Sequence, residues 1–146
     1  MPLTHRLALA AGLVLASPLS VSAACSVELS PVSFGVIDLA RQSKGTGEVV
    51  VRCDGATTFQ VGISPGGAGD GTRRMSGPDA GRLDYYLFAD AGHSIPWGDG
   101  QAIGNARAGS SDGGTPTRLT IYGVVPAQSG VPEGEYTDSL QVTLTF

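Results

Sequence analysis

The last eleven residues alternate without a break. Leu140, Val142, Leu144 and Phe146 fall on one side, and Ser139, Gln141, Thr143 and Thr145 on the other. A period of two predicts a half-buried β-strand over Tyr136 to Phe146. That strand is expected to reach the final residue, leaving no later segment to pair with its far side. A long apolar strand edge is an aggregation hazard unless it is covered. In an exported protein, a strand supplied by another molecule would cover it.

The same period recurs upstream in shorter runs. Val27 to Leu29 begins a first strand, which Pro31 interrupts and Val32-Ser33-Phe34 resumes. Glu48 to Cys53 forms a second, with Val49, Val51 and Cys53 on one face. Phe59, Val61 and Ile63 mark a third. Leu83 to Ala89 is a fourth, with Tyr85 and Leu87 opposed to Tyr86 and Phe88. Leu119 to Val125 is a fifth. Segments rich in Gly, Asp, Ser and Pro separate them: 65–72, 92–100, 104–116 and 126–134. No helical period lasts beyond one turn. The pattern predicts an all-β sandwich or barrel in one domain, without internal repeats.

The N-terminus reads differently. His5 and Arg6 precede the apolar run Leu7 to Ala16, Pro18 breaks it, and Val21-Ser22-Ala23-Ala24 supplies small residues. This is the layout of a secretory signal peptide and is too short to span a bilayer. Residues 1–23 are assigned to it, with cleavage after Ala23 or Ala24, and the mature domain to 24–146. Removing Arg6 leaves eight basic against thirteen acidic residues. An acidic, lysine-poor chain argues against nucleic acid or an anionic membrane as partner.

The two cysteines, Cys25 and Cys53, both fall in the mature part. An exported chain with two cysteines is expected to join them. The loop so closed, about 28 residues, would contribute about 3.5 kcal/mol through chain entropy. A competing reading makes Cys25 a lipidated cysteine. Ser22-Ala23-Ala24 has no Leu three positions back, however, and lipidation would leave Cys53 unpaired.

Candidate chemistry is sparse. His93 is the one histidine of the mature chain and sits in a Gly-rich loop. One histidine and a paired cysteine set are too few ligands for a transition metal, so no metal and no cofactor are predicted. No Gly-x-Ser-x-Gly elbow is present, and no catalytic residue is assigned. Gly66-Gly67-Ala68-Gly69-Asp70-Gly71 lacks both the alternating acidic ligands of an EF-hand and the Gly-Lys-Ser/Thr of a P-loop. Turn chemistry accounts for Asp70, Asp99 and Asp112 in their glycine settings. Trp97, between Pro96 and Gly98, is read as a buried loop anchor, with an exposed binding aromatic as the competing reading.

Several segments together resemble the spore coat U domain family, which includes Csu-type subunits of archaic chaperone–usher pili. They are Cys25 near the mature start, Val51-Arg52-Cys53-Asp54-Gly55, Tyr85-Tyr86-Leu87-Phe88-Ala89-Asp90, Ile121-Tyr122-Gly123 with Val125-Pro126, and Gly134-Glu135-Tyr136-Thr137-Asp138-Ser139-Leu140 followed by Val142-Thr143-Leu144. The Gly-x-Tyr-x-Asp-x-Leu ending is the most specific. The resemblance implies an immunoglobulin-like β-sandwich lacking its C-terminal, seventh strand. It implies three partners: a periplasmic pilus chaperone, an outer-membrane usher, and a neighbouring subunit that donates a strand. The acceptor groove would be walled by Leu140, Val142, Leu144 and Phe146, facing Val27, Leu29, Val32 and Phe34. The carboxylate of Phe146 would meet basic residues of the chaperone. The route would run through the periplasm to a surface pilus, with roles in adhesion and biofilm formation.

Rod subunits of this kind carry roughly a dozen residues before the first cysteine as donor strand, a length set by ~3.3 Å per residue. Here at most Ala24 would precede Cys25. A minor or tip subunit, able to accept a strand but not to give one, is therefore expected. Two other classes compete: a free-standing secreted carbohydrate- or surface-binding sandwich using Trp97 and the tyrosines, and a secreted hydrolase, for which no nucleophile–base pair is visible.

Overall fold

The computed structural model of the chain describes residues 22–146. The expected signal peptide, except its last two residues, lies outside them. Nine strands run in chain order: β1 Cys25–Ser33, β2 Ser43–Cys53, β3 Ala56–Ile63, β4 Arg74–Ser76, β5 Arg82–Asp84, β6 Tyr86–Phe88, β7 Arg107–Asp112, β8 Thr117–Val125 and β9 Val142–Thr145, with a 3₁₀ turn at Pro78–Ala80. They form a sheet of order β1-β2-β8-β6, a sheet of order β7-β3-β9, and the small ribbon β4-β5. The fold is an all-β, immunoglobulin-like sandwich whose sheets do not close on each other.

Alternation places the core between the sheets. Val49 and Val51 of β2, Phe59, Val61 and Ile63 of β3, Leu87 of β6, and Leu119 and Ile121 of β8 are buried. Val50 points the other way, yet is also buried. Its cross-strand partners are Glu28 and Arg118, whose stems shield it while their charged ends stay wet. At one end Cys25 and Cys53 are paired residues of β1 and β2 and form a disulfide. Beside them the Asp54 N–H donates to the Ala24 carbonyl at 3.0 Å, and the Ala24 N–H to Asp54 Oδ1 at 2.7 Å.

Two buried side chains close the other end. Trp97, 1% exposed, donates its indole N–H to the Val61 carbonyl at 2.8 Å. The Arg73 guanidinium, also buried, donates to the carbonyls of Ser64, Trp97 and Ile63 at 3.1, 2.8 and 2.7 Å. Trp97 is thus a core anchor rather than a surface aromatic.

The structure corrects three strand expectations. Leu83 to Ala89 is not one strand: β5 pairs with β4, β6 pairs with β8, and the chain changes sheets at Tyr85. The Tyr85 N–H there bonds the Arg73 carbonyl. The segment expected to be loop at 104–116 contains β7, which pairs with β3 from Ala56↔Asp112 to Val61↔Arg107. Its sequence, Arg-Ala-Gly-Ser-Ser-Asp, has no apolar period, because main-chain bonds and a single buried Ser111 hold it. The last strand is shorter than its pattern: only Val142–Thr145 lies in the ladder with β3. Upstream, Thr137 bridges to Ser76 instead, and Asp138 and Ser64 hold the residues between.

Replacing both Cys25 and Cys53 with Ser is expected to cost about 2–5 kcal/mol of stability. Urea melts would show it as a lowered midpoint with a somewhat steeper slope, since the freed unfolded chain exposes more surface; an unchanged midpoint would mean the ladder alone holds this end.

Candidate functional site

Three glycines shape the candidate site. Gly45 and Gly47 of β2 and Gly123 of β8 share the inward parity of Val49 and Ile121, and β2 pairs with β8 at Gly45↔Gly123 and Gly47↔Ile121. Together they leave a bare strip on the inner face of the larger sheet. The second half of β1 comes down onto this strip. Its register with β2 slips between Ser30 and Ser33, around Pro31, which has no N–H for a ladder. A Cβ at Gly47 would lie 2.7 Å from the Ser30 carbonyl oxygen and 2.9 Å from the Val32 nitrogen, and one at Gly123 2.7 Å from the Phe34 ring. Only glycine permits this approach. Val32 and Phe34 therefore sit over the larger sheet, directed at the core.

The facing wall is the segment 136–142. Tyr136 is fixed by its hydroxyl, which donates to the Pro132 carbonyl at 2.6 Å. Thr137 and Ser76 exchange two main-chain bonds of 2.8 and 3.1 Å. Asp138 then acts as a latch. Its Oδ2 accepts the Tyr85 hydroxyl at 2.6 Å, and its Oδ1 accepts the N–H groups of Gly67 at 3.0 Å and Ser139 at 2.8 Å. Ser64 completes the wall: its N–H donates to the Gln141 carbonyl, and its Oγ accepts the Gln141 N–H, both at 2.9 Å. Burial, then the hydrogen bond and the negative charge of Asp138, pushes the Tyr85 hydroxyl far above the ordinary tyrosine range.

Between these walls lies an apolar furrow of about 390 Å³. Leu29, Pro31, Val32 and Phe34 line one side; Tyr136, Leu140 and Val142 line the other; Ile63, Tyr85, Leu87 and Ile121 form the floor. It runs on into a second hollow of about 620 Å³ that shares Val32, Phe34, Met75 and Tyr136 and reaches Ile37, Leu39 and Val131. Among the described residues β9 pairs only with β3, so its outer edge is unpaired.

Of the eight residues assigned to a groove from sequence, the structure gathers Leu29, Val32, Phe34, Leu140 and Val142 around the furrow. Val27 and Leu144 pack against the core behind it, opposite Val51 and Val61. Phe146 lies past the end of β9 and is 56% exposed. Tyr85, Met75 and Asp138 were missed. Met75 lies in a strand of three residues, too short for any period to show. The polar atoms of Tyr85 and Asp138 matter for fixing the wall rather than for apolar pattern, although Asp138 stood in the most specific motif.

The aspartates of the glycine loops accept turn hydrogen bonds that hold their carboxyls below the usual carboxylate range. Asp70 does so chiefly through the Thr72 hydroxyl, Asp90 through Ser94, Asp99 through the Ile103 N–H and Asp112 through the Thr115 N–H. Among the described residues no three His, Cys, Asp or Glu side chains converge as metal ligands. No described helix is long and apolar enough to cross a membrane.

Comparison with known proteins agrees with this architecture. The family described as Spore Coat Protein U domain matches residues 10–143. The chain is 30% identical over 146 aligned residues to Protein U of Myxococcus xanthus, covering 87% of this chain and 80% of that one. In structure it is similar to a chain of the CsuC–CsuE chaperone–tip adhesion subunit pre-assembly complex from archaic chaperone–usher Csu pili of Acinetobacter baumannii. The TM-score is 0.58 at 19% identity, over 86% of this chain and 40% of that one. A fainter likeness, TM-score 0.44 at 12% identity, is to a chaperone–tip adhesin complex of CFA/I fimbriae biogenesis, over 82% of this chain and 42% of that one. The chain spans about two fifths of the length of these solved chains.

Gly47→Val is expected to force the second half of β1 off the strip and cost at least about 1–3 kcal/mol, since the colliding atoms are backbone. Urea unfolding measures it, and an unchanged midpoint would contradict the close approach. The raised Tyr85 value has a fixed sign. The unfolded chain releases that proton near pH 10 and the folded chain does not, so stability falls above about pH 10 by up to ~1.4 kcal/mol per pH unit. Tyr85→Phe should flatten this alkaline loss relative to the parent in urea melts taken from pH 8 to 11.

Proposed function

This chain belongs to the spore coat protein U domain family, and we propose that it is a chaperone–usher-type pilus subunit whose furrow receives an extended strand from another polypeptide. The observation that carries this reading is the furrow itself, apolar on both walls and bordered by the unpaired edge of β9. A strand laid there would complete the ladder along β9 while alternate side chains fill the hollow. Each Å² of apolar surface removed from water would contribute about 25 cal/mol.

In this proposal Leu29, Val32, Phe34, Leu140 and Val142 contact the guest strand, while Val27 and Leu144 support the walls from behind. A periplasmic chaperone fills the furrow first, with basic residues meeting the carboxylate of Phe146. An outer-membrane usher then exchanges it for the strand of a neighbouring subunit, and the chain passes from periplasm to cell surface, where adhesion and biofilm roles would follow. The likeness to a chain of the chaperone–tip adhesion subunit complex supports the fold of such a subunit. The finer form of the proposal, a tip or minor place in the fibre, requires processing beside Cys25. The mass of the exported protein tests it, since a dozen or more residues ahead of Cys25 would contradict it. The free-standing binding sandwich loses its main platform, because Trp97 is buried.

Expressed in a periplasm with a cognate chaperone, the protein should purify as a one-to-one complex. Leu140→Asp, which sets a charge in the furrow wall, should reduce recovery of that complex at least about tenfold, equivalent to ~1.4 kcal/mol. A parent chain that stays monomeric and soluble by itself, and ignores the chaperone, would sink the proposal.

A further inference from the structure

The outer face of the smaller sheet carries a hollow of different chemistry, about 540 Å³ in volume. Its floor is β3 at Gln60 and Gly62. One wall is β9, where Thr145 and Thr143 stand opposite those two residues. The other wall is the loop 98–106, which bears Asp99, Gln101 and Asn105.

The loop is rigid. The N–H groups of Gly98, Asp99 and Gly100 donate to the carbonyls of Asn105, Ile103 and Gly104 at 2.8, 2.9 and 3.0 Å. Asp99 Oδ1 accepts the N–H groups of Gln101 and Ile103 at 2.9 and 3.0 Å. Gly62 lets this hairpin settle on the strand: a Cβ there would lie 3.2 Å from Asp99 Cα. The missing side chain also makes the depression.

The lining contains no lysine, no arginine and no large apolar side chain. Three amides and two hydroxyls line the hollow, from Gln60, Gln101, Asn105, Thr143 and Thr145, all solvent-exposed. Each can both donate and accept. An anion would find no cation here, and an apolar ligand would find nothing to displace water against. A ligand with many neutral hydroxyls, which also donate and accept, matches such a lining. The Cα hydrogens of Gly62 and Gly100 and the methyl of Ala106 offer it a small apolar floor. The volume falls within the usual ~300–1,000 Å³ of small-molecule sites, and the hairpin's own hydrogen bonds hold the backbone of one wall.

We infer that this hollow is a binding site for a neutral sugar, held by Gln60, Gln101, Asn105, Thr143 and Thr145. The inference is independent of the furrow, which lies between the sheets. The test uses the ¹⁵N-labelled full chain as isolated from the periplasm, with any strand partner it carries. It is titrated with the methyl glycosides of glucose, galactose, mannose and N-acetylglucosamine. At least one should give saturable shifts of the side-chain amides of Gln60, Gln101 and Asn105. Gln60→Ala and Asn105→Ala should each weaken it about tenfold, the effect of ~1.4 kcal/mol. Thr58→Ala, outside the hollow on the same strand, should bind as the parent does. No saturation with any of the four, or undiminished binding by the Gln60→Ala/Asn105→Ala double variant, would overturn the site.

Discussion

The structure depends on one close contact between backbones. The second half of β1 lies on a strip of the larger sheet that has no side chains, at Gly45, Gly47 and Gly123. Side chains at those positions would hold β1 at ordinary sheet distance, and Val32 and Phe34 would lose their place over the core. Because the strip exists, β1 begins as a regular edge strand beside β2 and ends as a wall facing the 136–142 segment. An apolar gap then opens between the sheets, where a flat sandwich would have closed. The furrow is a product of three absent Cβ atoms as much as of the leucines and valines that line it.

The opposite wall is fixed by polar means. An alternating strand would ordinarily be held by its ladder, but 138–141 leaves the ladder with β3. Asp138, reaching Tyr85, Gly67 and Ser139, keeps the segment in place. A carboxylate accepting three bonds is a stiff fixture, and it joins three stretches far apart in sequence. The buried Arg73 works similarly on the carbonyls of Ser64, Trp97 and Ile63. In both cases one charged side chain substitutes for missing main-chain partners where strands end or change sheets.

How far this was legible in the amino-acid pattern differs by element. Strands with an apolar period, β2, β3 and β8, stand close to where Val49, Val51, Phe59, Val61, Ile63 and Leu119 place them, since burial of one face dictates both period and position. The break at Pro31 was equally visible, as proline cannot donate to a ladder. β7 was not legible, because backbone pairing leaves no mark on side-chain chemistry. The division at Tyr85 was hidden because Leu83, Tyr85 and Leu87 keep one parity across the change of sheet. Of the eight residues that the resemblance assigns to a groove, five line the furrow. Phe146 shared that parity, but parity cannot say where a strand stops being covered. The polar hollow at Gln60 and Asn105 had no linear signature, since its parts meet only through pairing of β3 with β9 and the descent of a hairpin.

The Cys25–Cys53 link joins paired residues at the very start of β1. A motion that separates β1 from β2 therefore meets a covalent bond at this end, on an inner strand of the larger sheet. The hydrogen bonds between the two strands can open from the Ser33 end only, and never past Cys25. β1 stays attached to the sandwich even where its ladder is lost.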